Sequence, residues 1–422
     1  MIAFGPLLIL LVIAVAVVVA STRLRFPYTA ALVLLGILIG FLDQHVPLLG
    51  LARQGSFLFS PGFFFYVLLP PIIFYAGLHI DFRLLRNRAP FILFLAFVGV
   101  LLTILLTGFV VTWLVGLPIV AALLLAAIVS PTDPIAVTDL SRRLKIPAEL
   151  STIAESESLL NDATGVIAFV VILGIVGSGV WSPLGSIERF LWLIVGGAGV
   201  GLLVAGGTYV LHRQLHDAAV ETAVSVVAAY GSYLLASDIG ASGIIAVAIA
   251  GIAVGTWVGP RSIAPEIRAS VDTFWSVVVW IDNSMVFLAM GLLVAPSDIL
   301  SHLPVVLLVL GILYAGRAAF VYAHRPLSRA LVGERAQLPT TWYNVLTISG
   351  IRGAIPVVLA LSLLTSTTNL ASSVVQTIVG VVVGVAAISV VGGNLVASAY
   401  ISRRFTAVED RPQSGVDVPP DP

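Results

Sequence analysis

The sequence predicts an all-α polytopic membrane protein of about thirteen transmembrane helices. They are expected to form two inverted six-helix repeats, with the fifth and twelfth helices broken. Three observations carry that prediction. The 422 residues are 59% hydrophobic and only 10% charged, where a soluble domain carries about 25% charged residues. The apolar residues gather into runs of roughly 20, the length a bilayer demands. The 21 basic residues are sorted almost entirely to one side of those runs.

In chain order the runs fall near 2–20, 28–42, 62–80, 90–115, 118–140, 150–177, 190–211, 219–237, 240–258, 273–295, 303–323, 341–365 and 372–402. The first has no basic residue ahead of it, and Arg23, Arg25 and Pro27 follow it where a cleavage signal would need small residues. It reads as a span rather than a signal peptide. The second is short, and the eighth is the least hydrophobic, with Glu221 and Asp238 at its ends.

This division puts Arg23, Arg25, Arg83, Arg86, Arg88, Arg142, Arg143, Lys145, Arg213, Arg261, Arg268, Arg325, Arg329, Arg335, Arg403, Arg404 and Arg411 on one side. Only Arg53 and Arg189 lie on the other, while Arg317 and Arg352 lie inside spans. The positive-inside rule then places the N-terminus outside and the C-terminus in the cytoplasm of a plasma-membrane protein. Residues 405–422, polar and rich in proline, are expected to be a short disordered cytoplasmic tail, leaving 1–404 as the membrane domain.

An odd number of spans allows an inverted repeat. With span 7 as a linker, spans 1–6 begin outside and spans 8–13 begin inside. The two units are interrupted at matching places: S-P-T-D-P (Ser130 to Pro134) in span 5, and S-G-I-R-G-A-I-P (Ser349 to Pro356) in span 12. Proline removes a donor and glycine permits unwound backbone. At membrane depth such backbone persists only inside protein or along a cavity. The pattern points to a midplane site formed by spans 5, 6 and 12.

Span 6 opens with E-S-E-S-L-L-N-D-A-T-G (Glu155 to Gly165), a polar stripe running into an apolar helix. Glu157, Asn161 and Gly165 follow one i, i+4, i+8 line, and Ser158 with Asp162 forms the adjacent one. Asp162 and Asp133 are the strongest pair. With Thr132, Ser158 and carbonyls freed by unwinding, they form an all-oxygen nest suited to a hard cation such as sodium. A carboxyl withdrawn from water holds a proton when no cation lies against it. One acid that takes either a proton or a cation, but not both, is the minimum machinery for exchange.

Glu157 points about 100° away from Ser158 and calls for an intramembrane arginine. Arg317 is the preferred partner in a structural pair, and Arg352 is the alternative. Arg352, at the break of span 12, otherwise compensates helix-end charge or repels cations. Glu155 lines a cytoplasmic funnel or is a solvated helix end. The six histidines share no metal-ligand spacing; His212 and His216, four apart at a cytoplasmic end, read as interfacial. Asp282 and Asn283 in span 10 line a cavity or satisfy a helix contact. There is no cysteine, which excludes disulfides and thiolate metal sites, and zero net charge argues against a nucleic-acid partner.

These residues together resemble the monovalent cation:proton antiporter family that includes bacterial NhaP-type proteins and animal sodium/proton exchangers. The resemblance covers nearly all of the membrane part. It rests on S-P-T-D-P-I-A-V from Ser130, E-S-L-L-N-D-A from Glu157, N-S-M-V-F-L-A-M-G-L-L-V from Asn283 and G-I-R-G-A-I from Gly350, in that order. It implies the antiporter fold of that family, with Asp162 as the main ion and proton carboxylate helped by Asp133, Thr132 and Ser158. It also implies a Glu157–Arg317 pair, and electroneutral one-for-one exchange from the Asn161-Asp162 form. Homodimers are implied too, with a core (spans 4–6 and 11–13) moving against a dimer scaffold (spans 1–3 and 7–10).

One departure stands out. In L-P-P-I-I-F-Y-A-G-L, Tyr75 holds a position where many relatives carry an acid. This leaves sodium, lithium and potassium open as the cation. The expected function is exchange of sodium for protons across the plasma membrane, with no catalytic residue and no cofactor beyond the transported ions. A potassium/proton antiporter and a cation channel are the alternatives. An intramembrane aspartyl protease is excluded because neither G-x-G-D nor P-A-L surrounds Asp133 or Asp162.

Overall fold

The computed structural model describes residues 4–24, 26–45, 60–133, 146–180, 182–212, 217–258, 264–294, 296–331, 338–366 and 368–409. The second half of span 5 with Pro134 lies outside the described residues. So do Arg25, Arg53, Arg142, Arg143, Lys145, Arg213, His216, Arg261, Arg335 and the tail beyond 409.

Most of these residues are helical. In order come α1 (Phe4–Leu24), α2 (Tyr28–His45), α3 (Pro61–His79), α4 (Phe82–Val115), α5 (Ile119–Val129), α6 (Ala148–Ser178) and α7 (Pro183–His212). Then follow α8 (Ala218–Asp238), α9 (Gly243–Val258), α10 (Pro265–Leu292), α11 (Pro296–Leu331), α12 (Thr340–Ile348) and α13 (Ile355–Thr365). The last, α14, runs from Ser372–Ile388 through a π-turn at Ser389–Gly393 into Asn394–Glu409. Eight of the described helices (α3, α4, α6, α7, α8, α10, α11 and α14) are long and apolar enough to cross a membrane. Shorter apolar helices lie in α1, α2, α5, α9 and α13.

Local chemistry sets the ends. Asp81 caps α4, accepting from the Arg83 and Leu84 amides at 2.8 and 3.2 Å, and Asp217 caps α8 in the same way. Gly116 and Gly179, at φ +79° and +67°, stop α4 and α6 in the left-handed turn that glycine adopts without strain. Several helices outrun their hydrophobic stretches. α4 begins at Phe82 rather than near 90, so Arg83, Arg86 and Arg88 ride on its opening turns, and α11 covers Pro296–Leu331 rather than 303–323. Hydropathy marks where a helix meets lipid, whereas a cap or a breaker decides where it ends.

The helices bury three apolar cores. One joins α4, α5, α6, α11, α13 and α14 through Val111, Leu125, Phe169, Leu313, Leu359 and Val382. A second joins α3, α7, α8, α9 and α10 through Phe74, Leu193, Ala229, Val247 and Trp275, with Leu159 and Ile167 of α6 against it. A third ties α1, α2 and the end of α10 to α4, α6, α11, α12 and α14. Because lipid is as apolar as leucine, helices in a bilayer associate by close packing, and small residues allow it. Gly36 and Gly291 bring α2 and α10 into backbone contact; a methyl group on Gly291 would stand 2.3 Å from the Val33 carbonyl oxygen.

That seam yields a test. Gly291→Ala is expected to lower stability by about 1–3 kcal/mol through overpacking. Gly206→Ala, with nothing within 4 Å of the new methyl, should change it by less than about 0.5 kcal/mol. Thermal unfolding in detergent compares the two; equal midpoints would mean the α2–α10 contact is not a tight seam.

Candidate functional site

The two interrupted spans meet. α5 ends at Val129, α12 ends at Ile348, and α13 starts at Ile355, leaving 349–354 unwound. The Asp133 amide donates to the Ile351 carbonyl at 2.7 Å, a single antiparallel bridge between the unwound strands. Crossing the strands satisfies one amide that a broken helix leaves open, but the carbonyls at the C-terminal ends of α5 and α12 still need donors.

The two intramembrane arginines supply them. Arg352, 3% exposed, donates from Nη1 to the Ser130 carbonyl and, at 3.3 Å, to the Pro131 carbonyl. Its own amide donates to Ser389 Oγ at 2.9 Å, on the π-turn of α14. Arg317 donates from Nε to the Leu346 carbonyl, in the last turn of α12, at 2.7 Å. Each arginine therefore sits where a half-helix exposes its negative end. Of the readings open for Arg352, helix-end compensation matches this geometry.

Arg317 also grips Glu157 with both arms, Nη1 to Oε1 at 3.0 Å and Nη2 to Oε2 at 2.9 Å. Glu157 is 2% exposed, so the expected pair is formed and buried, and Arg317 rather than Arg352 is its partner. Gly350 makes the path possible, since a methyl group there would stand 2.3 Å from Arg317 Cδ.

The polar stripe of α6 faces the crossing as its spacing predicts. Asn161 Nδ2 donates to Glu157 Oε1 at 2.8 Å and to Thr132 Oγ1 at 2.5 Å, while its Oδ1 accepts from the Thr132 amide at 3.1 Å. An amide donor on one side and a carboxylate on the other leave only one orientation for this side chain. Asn161 thus pins unwound Thr132 to the ion pair. Ser158 Oγ donates to the Thr132 carbonyl, which leaves the hydroxyl lone pairs free. Gly165, third on the Glu157 line, lets Pro131 lie against α6; a methyl there would be 2.5 Å from Pro131 Cγ.

Asp162 stands one turn beyond Ser158. Asp133, Glu157 and Arg352 are the charges within its electrostatic reach. Among the described residues no group hydrogen-bonds to its carboxylate, in contrast to the saturated Glu157. Asp133 presses its own carboxylate against Gly353, where a methyl would stand 2.3 Å from Oδ2. Ser158 thus meets the Thr132 carbonyl, and Asp133 lies within electrostatic reach of Asp162. A small cavity on the ion-pair side is lined by Ser130, Thr132, Glu157, Asn161, Arg317 and Arg352.

Other candidates lie elsewhere. Glu155 accepts from Ser151 Oγ at 2.8 Å on its own helix. Asp282 is buried in α10 with Tyr230 of α8 in reach, away from the crossing. Tyr75 packs its ring on His79 at 4.3 Å. Ser389, Ser130, Gly350 and Gly353 belong to the site and were not singled out as functional. Ser389, three residues before Gly392–Gly393, has no spacing that sets it apart from the other serines of span 13.

Comparison with known proteins bears on the family. The family model described as "Sodium/hydrogen exchanger, transmembrane" matches residues 7–398. The low-affinity Na(+)/H(+) antiporter NhaS1 of Synechocystis is 29% identical over 92% of this chain and 71% of its own length. The Na(+)/H(+) antiporter NhaH of Halobacillus dabanensis is 32% identical over 85% of this chain and 89% of its own. The solved structure of the sodium proton antiporter MjNhaP1 from Methanocaldococcus jannaschii superposes with a TM-score of 0.80 at 22% identity, covering 96% of this chain and 99% of that one. The crossed broken helices, the filled polar stripe and a match along nearly the whole membrane part lead to one conclusion: the chain belongs to the transmembrane sodium/hydrogen exchanger family.

Proposed function

We propose that the protein exchanges sodium for protons across the plasma membrane by alternating access, one for one, with Asp162 taking either ion in each half-cycle. The observation that carries this reading is the division of labour among the buried acids. Glu157 is saturated by Arg317 and Asn161, whereas among the described residues no group hydrogen-bonds to the Asp162 carboxylate, which has Asp133 in electrostatic reach. A proton leaving Asp162 and a sodium ion arriving there carry the same charge, so a cycle through this acid alone moves no net charge. Asp133, the Ser158 hydroxyl and the Thr132 carbonyl supply further oxygens, and Asn161 holds them in place without binding the ion.

The packing supports a moving core of spans 4–6 and 11–13, since α4, α5, α6, α11, α13 and α14 share one apolar core. Spans 1–3 and 7–10 form the scaffold, with α3, α7, α8, α9 and α10 sharing another. The bias of the loop arginines to one side supports an N-terminus outside and a C-terminus in the cytoplasm. The long exposed apolar faces of α1 and α7 suit lipid and a second copy of the chain in a homodimer.

Purified protein in liposomes holding a pH-sensitive dye tests the reading. An outward sodium gradient should acidify the lumen at a rate that ignores a valinomycin-set voltage, and Asp162→Asn should abolish the signal while still inserting. A rate that grows with inside-negative potential would bring a second acid, Asp133, into the cycle. A response to potassium alone would move the assignment to potassium/proton exchange and give weight to Tyr75.

Removing one partner of a buried pair strands the other charge at a cost of about 3–5 kcal/mol. Glu157→Ala is therefore expected to lower the detergent melting temperature far more than it changes sodium affinity, and adding Arg317→Ala should recover part of the loss. Additive losses in the double variant would argue against the pair as a coupled unit.

Asn161→Asp should destabilise the protein rather than make exchange electrogenic, because it removes two donors and sets an acid beside Glu157. A stable, voltage-sensitive Asn161→Asp protein would overturn the pinning role.

A further inference from the structure

A cavity of about 730 Å³ opens far from the crossing, where α3 ends, α4 begins and α9 ends, and His79, Asp81, Phe82, Arg83, Arg86 and Trp257 line it. The site for transported ions does not use it. Its charges are not balanced. Asp81 is engaged as the α4 cap, and His79 lies 2.8 Å from Asp272 Oδ1, with its other ring nitrogen 2.9 Å from the Tyr75 carbonyl. Arg83 and Arg86, exposed and three residues apart on the opening turn of α4, have no acidic partner among the described residues.

The position says which anion fits. The cavity lies at the arginine-rich ends of the spans, where apolar helix gives way to charge, which is the depth of lipid headgroups. Trp257, 40% exposed and edge-on to Phe82 with centroids 4.9 Å apart, is the kind of aromatic that sits at that boundary. Basic pockets between transmembrane helices on such a face bind anionic headgroups. We propose that this cavity holds the phosphate of an anionic phospholipid, gripped by Arg83 and Arg86 with the acyl chains running down beside Trp257. On the core and scaffold division proposed above, α4 belongs to the core and α3 and α9 to the scaffold. A lipid held here bridges the two bodies and tunes their relative motion.

The test reads binding, so its outcome is independent of whether the protein exchanges sodium. Full-length protein in detergent is titrated with phosphatidylglycerol and followed by native mass spectrometry and by thermal unfolding. Phosphatidylcholine and inorganic phosphate are run as separate arms. Phosphatidylglycerol should stay bound and raise the melting temperature, while phosphatidylcholine should do neither. Each arginine contributes about a five-fold gain in affinity, so R83Q/R86Q should bind about 30-fold more weakly. R403Q/R404Q, which removes an exposed arginine pair on α14, should bind nearly as the parent does. If R83Q/R86Q does not fold, R86Q alone reads the same contact as a five-fold loss. Unchanged binding by the α4 variants, or an equal loss in R403Q/R404Q, overturns the site. An equal shift with inorganic phosphate alone overturns the lipid assignment in favour of a soluble anion.

Discussion

Two helices that unwind inside a membrane leave carbonyl groups that neither water nor lipid can satisfy, and the rest of the site follows from how that debt is met. The strands cross, so that Asp133 donates to Ile351, and an arginine is placed at the negative end of each half-helix, Arg352 at α5 and Arg317 at α12. Two buried guanidinium groups are themselves a strain on a bilayer protein. One is neutralised by Glu157, and the other lies among carbonyls and within reach of Asp162. The acids and arginines form one electrostatic unit whose order is set by the broken backbone.

Asn161 shows how that unit is kept rigid. Its amide touches the ion pair, the Thr132 hydroxyl and the Thr132 amide together, so the strand cannot move without disturbing Glu157. A second acid at this position would repel Glu157 and lose the donors. The neutral amide is needed for the architecture of the crossing.

Much of this was legible in the sequence because its causes are local. Proline and glycine at Ser130–Pro134 and Ser349–Pro356 mark unwinding wherever they occur in an apolar run, and the three-and-four spacing of Glu157, Ser158, Asn161 and Asp162 fixes which residues share a face. The Glu157–Arg317 pair was readable because few charges lie inside spans and each needs an opposite. What could not be read depends on contacts between distant helices. Ser389 matters because the π-turn of α14 brings it to Arg352, and Gly353 because Asp133 fills its missing side chain. The lengths of α4 and α11 were also hidden, since helix continues past the apolar run until a cap such as Asp81 or Gly116 intervenes.

Tyr75 gives the arrangement a further consequence. The oxygens proposed for the cation, from Asp162, Asp133, Thr132 and Ser158, come from span 5 and α6 alone, and α3 brings the Tyr75 ring, tilted against His79. α6 and α5 share the core that also holds α4, α11, α13 and α14. On the reading proposed above, a cation at these oxygens takes its ligands from span 5 and α6, and α3 supplies none. α6 is the exception to a clean division, since it carries Ser158 and Asp162 on one face and packs Leu159 and Ile167 against the core of α3, α7, α8, α9 and α10 on another.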